Sequence, residues 1–102
     1  MFLTLSFGCT KRTAVLCENS ADGVMRIEIA EINDPEFPFG PTHCNARLYR
    51  NDTLLREENF DMKNDGKHAS EENFSVLWKS DQADIIVRAE EEEEKIICLW
   101  FE

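Results

Sequence analysis

Two histidines and four cysteines are the residues whose chemistry is easiest to recognise in this chain. His43 and Cys44 are adjacent. Neighbours on a strand point to opposite faces, so the two would not jointly chelate an ion there. The partners of a nucleophilic cysteine meet in space rather than in sequence, and no spacing here nominates one. Cys9, Cys17, Cys44 and Cys98 form no C-x-x-C pair, which removes the zinc and thioredoxin-like signatures. Four cysteines permit two disulfides in three pairings, yet a free cysteine also packs as a small buried hydrophobe. Cys98 sits in an apolar run and Cys17 follows Ala14-Val15-Leu16, so reduced core thiols are the expectation.

The stretch from Asp61 to Glu72 invites comparison with a calcium loop, which wants acids at alternating positions, a central glycine and a closing glutamate. Asp61, Asp65, Gly66 and Glu72 match that pattern. Lys63 stands at the third ligand position and cannot coordinate a cation, and His68 replaces the usual apolar residue. The flanks also read as strand rather than helix. The glycines at 8, 23, 40 and 66 are scattered, so there is no phosphate-cradling loop. Carboxylates are too numerous to single out a general-acid pair. The chain therefore nominates no catalytic residue, no metal ligand and no cofactor, and is read as not an enzyme.

Charge is the strongest global signal. The chain of 102 residues has a net charge of −10, unevenly placed. Residues 1–56 hold seven acids and six bases, net −1, and residues 57–102 hold fourteen acids and five bases, net −9. Phosphate binding wants a basic patch, so nucleic acid is not an expected ligand. A basic protein surface is the natural partner, because opposite potentials speed encounter. The steering charges would be Glu57, Glu58, Asp61, Glu90, Glu91 and Glu92. Five consecutive glutamates, Glu90 to Glu94, repel one another and suit a wet loop.

The elements that must position these charges read as strands. The last third holds three apolar runs, Phe74–Trp78, Ile85–Val87 and Ile96–Phe101, with both tryptophans. In the first, Phe74, Val76 and Trp78 share one face of a period-2 pattern. In the last, Ile96, Cys98 and Trp100 point one way and Ile97, Leu99 and Phe101 the other. Three explanations of an apolar run on both faces compete: a central strand covered by the same chain, a strand covered by another subunit or partner, or a helix begun by the glutamates. The β-branched and aromatic content favours a strand, and the first explanation makes this third the middle of the sheet.

Upstream, Leu3, Leu5, Phe7 and Cys9 alternate with Thr4, Ser6 and Gly8, which reads as a first strand. The alternative is the remnant of a lipoprotein leader, although no basic residue precedes Lys11. Thr13–Asn19 and Val24–Ile32 follow as strands, the latter with Met25, Ile27 and Ile29 inward. All three prolines fall in Asp34–Pro41, which excludes a helix or central strand there. Phe37 and Phe39 alternate with them, either tucked under the sheet end or exposed as anchors in an interaction loop. Ala46–Arg50 is a short strand and Asn51-Asp52 a turn. Thr53–Phe60 is read as the returning strand, with a short helix as the alternative.

One all-β domain over 1–102 is expected: a small antiparallel sandwich or partly open barrel of about seven to eight strands, with α+β containing one short helix as the alternative. The expected function is a small acidic, non-catalytic binding or inhibitor protein for a basic protein partner. By composition alone this has the character of immunity proteins or phage-encoded inhibitors. A carbohydrate- or calcium-binding β-module, with Trp78, Trp100 and Tyr49 as stacking residues, is the second reading. A homodimer through the last strand runs beside both. No apolar stretch is long enough to span a membrane, and a cytoplasmic location is expected, with export or lipid anchoring as the alternative if Met1–Cys9 is a leader.

Overall fold

A computed structural model describes residues 11–34 and 40–101. Seven strands form in chain order: β1 (Arg12–Asn19), β2 (Met25–Ile32), β3 (Thr42–Arg50), β4 (Thr53–Met62), β5 (Phe74–Trp78), β6 (Gln82–Val87) and β7 (Lys95–Trp100). They make two antiparallel sheets, β1-β2-β3-β4 and β5-β6-β7. The architecture is a small all-β sandwich. Residues 53–60 are strand, and the sole helical element among the described residues is one 3-10 turn at Glu71–Asn73. The expected strand at Leu3–Cys9 and the phenylalanines Phe37 and Phe39 lie outside the described residues.

Alternation selects the buried faces. Met25, Ile27 and Ile29 of β2 point inward, as do Cys44, Ala46 and Leu48 of β3. Register puts Ile27 opposite Leu48 and Ile29 opposite Ala46, so two large branched side chains meet in the first pair and a branched one meets a small one in the second. The second sheet answers with Phe74, Ala83, Ile85, Val87 and Leu99. Phe60 and Phe74 meet edge to face, with centroids 6.0 Å apart, and join the two layers.

Turn chemistry fixes these registers. Asp22 accepts hydrogen bonds from the Val24 amide (2.9 Å) and Ser20 Oγ (2.6 Å), and Gly23 takes φ +76° between β1 and β2. Asn51 turns β3 into β4 with φ 54°, a conformation asparagine tolerates well. Each outer strand of that hairpin series carries a bulge, at Val15 in β1 and at Leu55 in β4.

One architectural expectation needs correction. The C-terminal run is a strand with the anticipated facing, but β7 is an edge of the three-stranded sheet and not the middle of a larger one. Leu99 is buried, whereas Ile96 is 57% and Trp100 49% exposed. The run is apolar on both faces because one face meets the core and the other is open. Chain alternation reveals which residues share a face; it does not reveal which strands will be neighbours. The edge is partly blunted by β4, whose Arg56 Nε donates to Trp100 O at 3.0 Å. Arg50 donates to Phe101 O at 3.3 Å, and Lys95 Nζ to Asp61 O. These bonds close the β4–β7 side of the sandwich.

Candidate partner-binding surface

The β4–β5 and β6–β7 loops converge at one end of the sandwich and are stitched together. Asn64 is buried at their junction: its Nδ2 donates to His68 O (3.2 Å) and its Oδ1 accepts from the Glu90 amide (3.2 Å). The Glu91 amide donates to Lys63 O at 2.9 Å, and Glu92 accepts from the Lys63 amide at 3.2 Å. Lys67 Nζ lies 2.8 Å from a Glu90 carboxylate oxygen, and Lys95 Nζ 3.3 Å from Glu92. Glu90 keeps the Lys67 ammonium protonated beyond its ordinary range. Asp65 and Gly66, at φ 57° and 72°, make the reversal that returns the chain to Lys67.

The same end is tied to the first sheet by a buried carboxylate. Glu31 closes β2 at 3% exposure, and accepts from the Ala69 amide and His68 Nδ1, both at 2.8 Å. Thr42 Oγ1 donates to Lys67 O at 2.7 Å beside it. Three polar side chains of this junction (Glu31, Thr42 and Asn64) were not singled out from sequence, whereas Glu90 was, as a steering charge. The only local signal was the turn tripeptide Asn64-Asp65-Gly66.

Charge gathers here. Residues 61–72 and 88–95 carry nine acids, Asp61, Asp65, Glu71, Glu72 and Glu90 to Glu94, against Lys63, Lys67, Arg88 and Lys95, which leaves −5. Of the steering residues, Asp61, Glu91 and Glu92 line one cleft of about 470 Å³ together with Pro41, Lys63 and Lys95. Glu90 sits at its stitched rim. Asp61 is also held by His43 Nδ1 at 2.7 Å on the outer face of the first sheet.

Glu57 and Glu58 belong to a different setting. Glu57 is on the outer face of the first sheet, where Arg47 Nε (2.8 Å) and Asn45 Nδ2 (3.0 Å) bind one carboxylate oxygen. Arg47 and then Asn45 hold its carboxyl below the usual range. Asn45 also bonds Asn59 (2.7 Å) and Arg12, and Arg26 stacks 4.5 Å above the Tyr49 ring. Glu58 is exposed on the opposite side of β4. The three aromatics proposed to stack on a sugar lie on three surfaces: Tyr49 under Arg26, Trp78 facing inward, and Trp100 on the outer face of the second sheet.

That outer face is largely apolar, with Leu77, Ile86, Ile96 and Trp100 around a polar centre. At the centre Asp84 is buried and accepts from Lys79 Nζ at 2.8 Å and from Gln82 Nε2. Lys79 foremost lowers the Asp84 carboxyl pKa, and Asp84 in turn raises that of the Cys98 thiol. The thiols of Cys17, Cys44 and Cys98 are unpaired; Cys44 is buried in the core, whereas Cys17 and Cys98 are exposed, against the expectation that they would be core residues. Among the described residues no group of three or more His, Cys, Asp or Glu side chains is placed to hold a metal ion. No helix there is long and apolar enough to cross a membrane. No protein-family model, curated protein or solved structure matches this chain.

Proposed function

We propose that this chain is a non-catalytic binding protein whose acidic end captures a basic protein surface. The observation that carries the reading is the convergence of two acidic loops into one stitched unit with a net charge of −5. A concentrated field of one sign accelerates encounter with a surface of the other sign. Loops already ordered by their own hydrogen bonds lose little further entropy on docking. Asp61, Glu91 and Glu92 would meet the partner's cations, while Lys63 and Lys95 in the same cleft set which arrangements of charge fit. Glu57 and Glu58 steer from the neighbouring strand, and Phe37 and Phe39 are the proposed apolar anchors. Unpaired thiols support a reducing, cytoplasmic setting.

The test is affinity capture from a cell extract by the full chain and by the variant Glu90→Gln/Glu91→Gln/Glu92→Gln, with folding checked by circular dichroism. The expected result is one stoichiometric basic polypeptide, retained by the wild type at low salt and weakly by the variant. Its association rate should fall as ionic strength rises. An equal rate for both proteins at every salt concentration would refute electrostatic capture.

A second copy is the alternative partner, favoured by the exposed Leu77, Ile96 and Trp100 on one largely apolar face, whose central charges Asp84 and Lys79 pair with each other. Mass in solution at rising concentration tests it: a monomer throughout removes this reading.

A further inference from the structure

At one end of the sandwich the β1–β2 and β5–β6 turns part around a cleft of about 340 Å³. The acidic loops lie at the other end, where Glu31 near the close of β2 holds Ala69. Met25, Trp78 and Phe101 give the cleft apolar surface, and Ser20, Asp22 and Lys79 give it polar groups. Met25 is buried and lies at depth, whereas Asp22 and Lys79 are exposed. The indole Nε1 of Trp78 is buried, so the ring offers the cleft carbon rather than its N–H. Small-molecule sites are commonly clefts of about 300–1,000 Å³ with apolar walls and a few placed polar groups.

Both sides of the cleft are held by their own hydrogen bonds. The Ser20 amide donates to Met25 O at 2.9 Å, the Met25 amide to Ser20 Oγ at 3.1 Å and the Gly23 amide to Ser20 O at 3.0 Å. Across from them the Lys79 amide donates to Gln82 O at 2.8 Å and the Phe101 amide to Asp81 O at 3.1 Å. A site ordered beforehand loses little entropy when it is filled. Its charge is negative. The Ser20 hydroxyl and the Val24 amide both donate to Asp22 Oδ1, which leaves Oδ2 to accept from a further donor. Those bonds, Ser20's first, hold the Asp22 carboxyl below the ordinary carboxylate range, so it is ionised at neutral pH. Lys79 does not answer this charge, because its ammonium lies 2.8 Å from Asp84 on the outer face of the second sheet. With −10 over the whole chain, the field draws cations towards the cleft and repels anions.

We propose that this cleft binds a small organic ammonium ion with an apolar stem. The ammonium donates to Asp22 Oδ2, and the stem lies against Met25, Trp78 and Phe101. A hydrogen bond between a charged donor and a carboxylate is about twice as strong as a neutral one. An ammonium near aromatic rings gains cation–π attraction as well. A neutral alcohol of the same length keeps the apolar contact but loses both of these gains, and an anion would face Asp22 across the cleft. The site is separate from capture at the acidic end, since it uses none of the steering carboxylates, and its failure would leave that reading untouched.

Titration of the full chain with n-butylammonium chloride and with 1-butanol, at fixed ionic strength and followed by amide NMR shifts, tests the proposal. The expected result is saturable shifts at Gly23, Lys79 and Ser80 with the ammonium at millimolar concentration, and affinity for the alcohol weaker by about tenfold or more. Asp22→Asn keeps an oxygen to accept from Ser20 and Val24 while removing the charge, so the turn should persist, with unchanged shifts in the core strands. In that variant the ammonium should bind about tenfold more weakly and the alcohol as before. Equal affinity for ammonium and alcohol would show a cleft that selects shape alone and would overturn the proposal. So would undiminished ammonium binding by Asp22→Asn, or the absence of saturable shifts at the cleft. Shifts confined to Glu91 and Glu92 would overturn it too, as diffuse attraction to the acidic loops.

Discussion

Asp84 shows how one side chain can organise an open sheet face. It stands on the middle strand of the second sheet, buried although it points away from the core. Lys79 at 2.8 Å lowers its pKa, and Asp84 in return raises that of Lys79. A carboxyl with a depressed folded pKa contributes stability above its unfolded value of about 3.9 and loses it as pH falls through the folded value. Asp84→Asn should therefore flatten the acid branch of the stability curve below about pH 5 and cost about 1–2 kcal/mol at neutral pH, Lys79 being half exposed. Urea titrations of both proteins from pH 7 downward would show curves that converge in acid. Curves that stay parallel would mean the pair carries no net stability. The same residue governs thiol chemistry. Burial pushes the Cys44 thiol up to about 12, and the hydrogen bond to Asp84 raises that of Cys98. A thiol-reactive chromophore at mildly alkaline pH should label Cys98 slowly and Cys44 only on unfolding, since the thiolate is the nucleophile. In Asp84→Asn, labelling of Cys98 should speed up several-fold, and an unchanged rate would show that the hydrogen bond does not control it.

At the scale of the strand, facing and pairing are separate pieces of information. Facing was legible in sequence: Met25-Arg26-Ile27-Glu28-Ile29 alternates, and so does Phe74-Ser75-Val76-Leu77-Trp78, because side chains on a strand repeat every second residue. Pairing was not. Nothing in Ile96–Phe101 states that its strand is an edge, since that depends on Arg56 and Arg50 reaching it from more than forty residues away. The two bulges were equally hidden, because Val15 and Leu55 look like any apolar strand residue. The acidic loops were visible as charge, yet their junction at Asn64 and Glu31 was not, because single polar residues carry no signature of burial. The facing itself can be tested by a matched pair. Ile85→Ala removes a completely buried side chain from the central strand and should cost about 2–5 kcal/mol. Ile96→Ala, at 57% exposure on the neighbouring strand, should change stability by no more than about 0.5 kcal/mol. Equal losses in denaturant unfolding would mean that the open face is covered in solution.

For the whole molecule, the charge that attracts a basic partner also strains the fold that carries it. Two unit charges 10 Å apart in water repel by about 0.4 kcal/mol, and the acidic end concentrates many such pairs. The surplus of −5 over residues 61–72 and 88–95 is half of the net −10. Salt shortens the Debye length from about 30 Å at 0.01 M to about 8 Å at physiological strength, so the thermal midpoint should rise on adding salt. Glu91→Gln/Glu93→Gln removes two exposed charges and leaves the ion pairs of Lys67 and Lys95 intact. At low salt this variant should be the more stable protein by about 1 kcal/mol, a shift of several degrees for a domain of this size. In concentrated salt the two midpoints should coincide. The same variant should associate more slowly with a basic partner at low salt, because the repulsion it relieves and the attraction it loses arise from one field. Melting curves across a salt series, paired with association rates over the same series, measure both effects. A variant that gains stability while keeping its full rate would separate the acidic end from recognition and leave self-repulsion as its only consequence.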